Sequence, residues 1–122
     1  MPGDFVDLLA WRKASALAAS VVACSRLLRG PAVMSVRSQL VRAAESIPAN
    51  IAAGYGRGVS GDGARFLTVA RASAAELESH LGAAEASDRL PAAAARPLIA
   101  QTREVRCLVH RLLISVRLRL AH

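Results

Sequence analysis

Three groups of residues in this 122-residue chain have types and spacings that chemistry uses. The first is Gly56-Arg57-Gly58-Val59-Ser60-Gly61, which spells G-x-G-x-x-G, a pattern of loops that cradle phosphates. A dinucleotide site of that kind needs a strand before the glycines, a helix after them and an acidic residue about 20 positions on. Here the preceding segment reads as amphipathic helix and no segment reads as strand. A P-loop also needs Gly-Lys followed by Ser or Thr, which the chain lacks. Gly54, Gly56, Gly58, Gly61 and Gly63 are therefore expected to build an interhelical turn that uses positive φ.

The second group would serve acid–base, nucleophilic or metal chemistry. Glu76 and His80 stand at i, i+4, the spacing of a hydrogen-bonded pair on one helix face. Asn50 lies beside an apolar stripe, where a neighbouring helix or loop backbone is expected to satisfy it. Gly58-Val59-Ser60-Gly61 is half a nucleophile elbow, without the second glycine or a sheet. No paired Glu-x-x-His of a di-iron bundle occurs. Cys24 and Cys107 do not cluster with His80, His110 and His122 at ligand spacing, and two cysteines make no disulfide framework. The expectation is no catalytic, cofactor or metal site, and no enzyme.

The third group is cationic. The chain carries a formal charge of +7, from fifteen arginines and one lysine against nine carboxylates. The last segment holds six arginines against Glu104, whereas residues 62–88 set Arg65 and Arg71 against Asp62, Glu76, Glu78, Glu85 and Asp88. At 100° per residue, Arg96, Arg103, Arg106, His110 and Arg117 share an arc about 80° wide. Such a line can neutralise nucleic-acid phosphates without reading sequence. With aromatics at only 3%, stacking on bases is a minor resource.

The elements that must hold these residues are helices. Alanine, leucine and arginine dominate, and apolar residues recur at helical spacing in four segments, near 7–29, 33–55, 62–87 and 92–120. Their stripes are Leu17, Val21, Cys24 and Leu28; Leu40, Ala44, Ile47 and Ile51; Phe66, Ala70, Ser73, Leu77, Leu81 and Ala84; and Leu98, Val105, Leu108, Val109, Leu112, Leu113, Val116 and Leu120. Gly30-Pro31 reads as the stop of the first helix, and Asp62 as the N-cap of the third. Pro48 falls inside the second stripe and is expected to bend that helix, since the spacing continues through it. Short connections between long helices predict one domain, an all-α antiparallel four-helix bundle spanning 1–122. Cys107, Ile114 and Leu118 form an apolar line off the core stripe, which predicts an oligomer interface. The start of the chain has no basic n-region and no apolar run reaches membrane length, so a cytoplasmic protein is expected.

Several runs resemble one family. Asp7-Leu8-Leu9-Ala10-Trp11-Arg12-Lys13-Ala14 is similar to the D-L-x-V-W-Q-K-A opening of the four-helix bundle proteins first noticed in intervening sequences of bacterial 23S ribosomal RNA genes. The run from Gln39 to Arg57 is similar to their Q-x-R-R-A-A-x-S-I-P-A-N-I-A-E-G-x-G-R signature, and Phe66-Leu67, Ala70, Ser73 and Glu76-Leu77-Glu78 continue it. The resemblance covers about residues 5 to 85. It marks Trp11, Pro48, Asn50, Gly54, Gly56 and Glu76 as structural signature positions. Ala53 stands where the family usually has glutamate, and Gly61-Asp62-Gly63 replaces a more charged stretch. The resemblance implies a ring-shaped homo-oligomer, with homopentamers the family pattern, and it implies no reaction. A distant relative of this architecture is an accessory protein to reverse transcriptases of diversity-generating retroelements, which suggests a ribonucleoprotein role.

Two functions compete on these residues. One is a non-enzymatic basic oligomeric scaffold that binds RNA or DNA through phosphate contacts of Arg96, Arg103, Arg106, His110 and Arg117. The other is a protein–protein adaptor with no nucleic-acid role. The separating feature is where the arginines point: if they meet Glu76, Glu78 and Glu85 across an interface, little positive surface remains. No membrane partner, small-molecule substrate or cofactor is expected.

Overall fold

The structure, a computed structural model, describes residues 4–122. Four helices account for most of it: α1 (Asp4–Cys24), α2 (Val33–Arg57), α3 (Gly61–Ala86) and α4 (Ala92–Leu120). The described residues contain no strand. Each helix packs on its chain neighbours, and α4 returns to α1, so the four close around one core as a four-helix bundle. Leu17 and Val21, Leu40, Ile47 and Ile51, Leu77 and Leu81, and Val105, Val109 and Leu113 line that core, all at most 2% exposed. Between them sit Ala10, Ala14, Ala44, Ala70, Ala74 and Ala95, whose small side chains let the helices approach closely. The aromatics stay outside: Phe5, Trp11 and Tyr55 are exposed and Phe66 is half-buried.

The boundaries correct the sequence reading at three places. The first helix does not run to Arg29; α1 ends at Cys24 and a 3-10 turn covers Ser25–Leu27. Ser25 explains the change. Its carbonyl accepts from the Leu28 amide at 3.3 Å in the tighter i+3 pattern, and from Arg37 Nε at 3.2 Å. Its hydroxyl donates to the Val22 carbonyl at 2.6 Å. Leu28 then turns extended and still reaches the core, while Cys24 is only half-buried. The cap of α3 is Ser60, not Asp62: its Oγ accepts from the Gly63 amide at 2.9 Å. Finally, Leu67 rather than Phe66 faces the core, and the Phe66 ring lies under the guanidinium groups of Arg57 and Arg65.

Pro48 sits within α2, which continues through it to Arg57. At one end of the bundle the 28–32 and 87–91 connections are clasped together. The Arg29 amide and Nε donate to the carbonyls of Arg89 and Asp88 at 3.1 and 2.9 Å, and Arg89 Nη1 donates to the Pro31 carbonyl. Asp88 and Ala32 both hold left-handed φ there.

The five central glycines divide by what surrounds them. Gly54 and Gly56 belong to α2, Gly61 and Gly63 to α3, and only Gly58 has positive φ, at 63° with ψ −152°. That backbone region is open essentially to glycine alone, so the turn proper is Gly58-Val59-Ser60. Gly63 is fixed by space instead: a Cβ there would overlap the Gly58 carbonyl and sit 3.2 Å from the Gly54 carbonyl. A Cβ at Gly54 would sit 3.1 Å from the Leu67 Cγ, a tight contact short of overlap. Gly56 and Gly61 face open space.

Candidate nucleic-acid interface

The sequence reading placed four arginines and His110 on one arc of α4, and the structure divides them. Arg96 Nε lies 3.1 Å from Glu85 Oε2 and Arg103 Nε 2.8 Å from Glu78 Oε2. Arg106 Nη1 lies 2.7 Å from Glu78 Oε1, an ion pair whose angle is too poor for a hydrogen bond. These contacts join α4 to the acidic face of α3 within one chain. His110 is held differently, with Arg71 Nη1 2.9 Å from its Nδ1. Arg117 alone of the five has no such partner among the described residues.

The arginines outside the expected line complete the pattern. Arg111 and Arg119 also lack a carboxylate partner among the described residues, so the uncompensated charge of α4 gathers in residues 111–119. Two of these, Arg117 and Arg119, lie in the last turn, where cations oppose the negative end of the helix dipole. Elsewhere Arg42 pairs with Glu76, Lys13 with Glu104, Arg29 with Asp88, and both Arg57 and Arg65 with Asp62, whereas Arg12, Arg26, Arg37, Arg71 and Arg89 have no carboxylate partner among the described residues. A hydrogen bond from Arg65, reinforced by Arg57, holds the Asp62 carboxyl below its usual range despite some desolvation.

The signature positions do not converge: Gly54 packs against Leu67, Trp11 is exposed and Gly56 faces open space. Glu76 bridges Arg42 and His80, each at 3.3 Å. Asn50 is satisfied by its own helix, not a neighbouring one, donating to Ser46 O at 2.7 Å and Ser46 Oγ at 3.0 Å. Ser46 Oγ passes the chain of bonds to Ser73 Oγ on α3 at 2.8 Å. Sequence reasoning missed this Ser46 relay; the helical i, i+4 spacing of Ser46 and Asn50 was the available signal. It also missed buried Thr102, whose hydroxyl donates to the Leu98 carbonyl at 2.6 Å. Among the described residues no three His, Cys, Asp or Glu side chains gather to hold a metal.

Apolar side chains remain exposed at several places among the described residues. Ile114 and Leu118 are 40% and 59% exposed on the outer ridge of α4. Leu8, Trp11, Ala52 and Tyr55 line a shallow groove of about 360 Å³ between α1 and α2, with Ile51 at its floor and Asp7 at its rim. Cys107 is exposed, but it shares a depression with Arg71, Arg106, His110 and Arg111 rather than extending an apolar patch. Burial raises the thiol pKa of Cys24, its half-buried counterpart on α1.

The family model of the 23S rRNA-intervening sequence protein matches residues 6–111. The chain belongs to that family. The match takes in every signature position from Trp11 to Glu76 and most of α4, and it stops where the uncompensated arginines begin. A search of curated proteins finds no match. As in the family resemblance read from the sequence, this member is a four-helix bundle. No helix among its described residues is long and apolar enough to cross a membrane.

Proposed function

We propose that the protein is a non-enzymatic, cytoplasmic, basic scaffold that self-associates and binds nucleic acid through phosphates. The observation that supports this most directly is that Arg111, Arg117 and Arg119, spread around the C-terminal part of α4, have no carboxylate partner among the described residues on a chain of net charge +7. Counterion release makes such a surface bind a polyanion whatever its sequence. The clasp joining the first and third connections supports an antiparallel up-and-down arrangement, which leaves the C-terminal part of α4 beside the turn at Gly58. The exposed ridge of Ile114 and Leu118 and the α1–α2 groove are two unlike apolar surfaces. Contact between unlike surfaces of identical subunits is heterologous, and it closes into a ring when the rotation permits, which agrees with the family's pentameric pattern. Repeating these arginines around a ring would multiply weak contacts into avidity.

The same apolar groove favours the second reading, an adaptor that holds other proteins. Arg96, Arg103 and Arg106 pair within the chain with Glu85 and Glu78, which occupies three of the five side chains first assigned to phosphate and turns the nucleic-acid reading to the arginines left without carboxylates. Fluorescence-anisotropy titration against duplex DNA and structured RNA at several salt concentrations separates the two. The expected slope of log K against log salt is about −0.9 per duplex phosphate contacted. Changing Arg117 and Arg119 to alanine should flatten it by up to about two units, while Arg96→Ala changes it little. No binding at low salt turns the reading to the adaptor.

A further inference from the structure

Between the outer faces of α3 and α4 lies an open depression of about 540 Å³ lined by Arg71, Arg106, Cys107, His110 and Arg111. No carboxylate and no aromatic ring lines it. Arg71 comes from α3, on the otherwise acidic side, and its Nη1 stands 2.9 Å from His110 Nδ1. A guanidinium has donors only, so the ring nitrogen must accept, which assigns the histidine proton to Nε2. The depression therefore offers donors from two arginines and the Nε2–H of His110, with Arg106 at its edge partly held by Glu78. The accessible lining itself is mostly apolar, with the donors at its margin; a rim of donors without acceptors is complementary to an oxygen-rich anion.

We propose that this depression anchors a backbone phosphate of a nucleic acid, with Arg71 and Arg111 as its principal ligands. The inference rests on the nucleic-acid reading above and specifies where the chain engages the polymer. Two features select a phosphodiester chain. The depression is open, so it admits a continuous strand. It has no acceptor for a ribose hydroxyl and no stacking platform for a base. The contact carries no base information, so affinity should be indifferent to sequence.

The test compares two double variants of equal charge. Arg71→Ala with Arg111→Ala should weaken binding to structured RNA or duplex DNA about ten-fold at low salt and flatten the salt slope by nearly two units. Arg12→Ala with Arg26→Ala, two exposed arginines of the first helix and the turn after it, should leave affinity within about two-fold. Circular-dichroism melting confirms that both variants stay folded. A second readout uses Cys107 in a Cys24→Ser background: bound RNA should slow its alkylation by N-ethylmaleimide several-fold, and the Arg71/Arg111 variant should lose that protection. Equal losses in the two double variants would overturn the site and leave the nucleic-acid reading standing. No RNA or DNA binding by the wild type would overturn both. Equal protection by millimolar inorganic phosphate would make this a free-anion site, and equal protection by polyglutamate would make it an acidic-protein site; either result overturns the proposal.

Discussion

Gly63 and Gly56 are both glycines in helices, seven residues apart, yet alanine should act on them with opposite sign. At Gly63 the added methyl overlaps the Gly58 carbonyl and comes within 3.2 Å of the Gly54 carbonyl and 3.3 Å of Ser60 Oγ. Two of these three obstacles are backbone atoms, so no rotamer change relieves them. Either the turn or the α2–α3 packing must move, and overpacking of this kind costs about 1–3 kcal/mol. The movement also disturbs the Ser60 cap on the Gly63 amide, worth about 1 kcal/mol. Against this, alanine gains about 1 kcal/mol of helix propensity, which leaves Gly63→Ala about 1–3 kcal/mol less stable. At Gly56 nothing lies within 4 Å of the added methyl, so only the propensity gain of up to about 1 kcal/mol remains. For a chain of this length each kcal/mol moves the midpoint by roughly 3–6 °C. Thermal unfolding followed by circular dichroism should therefore show Gly63→Ala melting several degrees below wild type and Gly56→Ala at or above it. A Gly63→Ala protein as stable as wild type, or equal losses at both positions, refutes the close-approach account.

Other outcomes follow from the same structure. Asn50→Ala removes the donor to Ser46 at the head of the relay to Ser73, and should cost about 1–3 kcal/mol in chemical denaturation; lost nucleic-acid binding at unchanged stability would instead make it a binding residue. Because Arg65 and Arg57 depress the Asp62 pKa in the folded state, its contribution to stability is present above the unfolded value near about 3.9 and is lost as pH falls through the lower folded value. Asp62→Asn should accordingly shrink the difference in stability between pH 6 and pH 2, measured by urea unfolding; an unchanged difference removes Asp62 from the account. Ile114→Asp with Leu118→Asp should lower the mass seen by light scattering without unfolding the subunit. A monomeric wild type at micromolar concentration sinks that reading of the ridge.

Much of the fold was legible one segment at a time. The stripe Leu40, Ala44, Ile47 and Ile51 is fully buried as read, because helical periodicity is local: the chain's own geometry puts those residues on one face whatever they pack against. The elbow at Ser25 was not legible, since Arg37 and the pull of Leu28 into the core compete there with a helix that the sequence pattern would continue. The glycine run was read as an interhelical turn and lies where α2 meets α3, but its division of labour was hidden. Positive φ at Gly58 and the crowding at Gly63 depend on how α2 crosses α3, and spacing along the chain does not encode that crossing.

The candidate site shows the same limit more sharply. Composition alone determined that the chain is cationic, and helical spacing alone determined which arginines share an arc of α4. Which of them are free was decided by tertiary structure. Arg96, Arg103 and Arg106 meet Glu85 and Glu78 only because α3 lies against that side of α4. Arg71, counted with an acidic segment, reaches His110 across 39 positions of sequence. Electrostatic compensation falls with distance in space, not along the chain. The sum of charges could be read from the sequence, and their cancellation only from the packed helices.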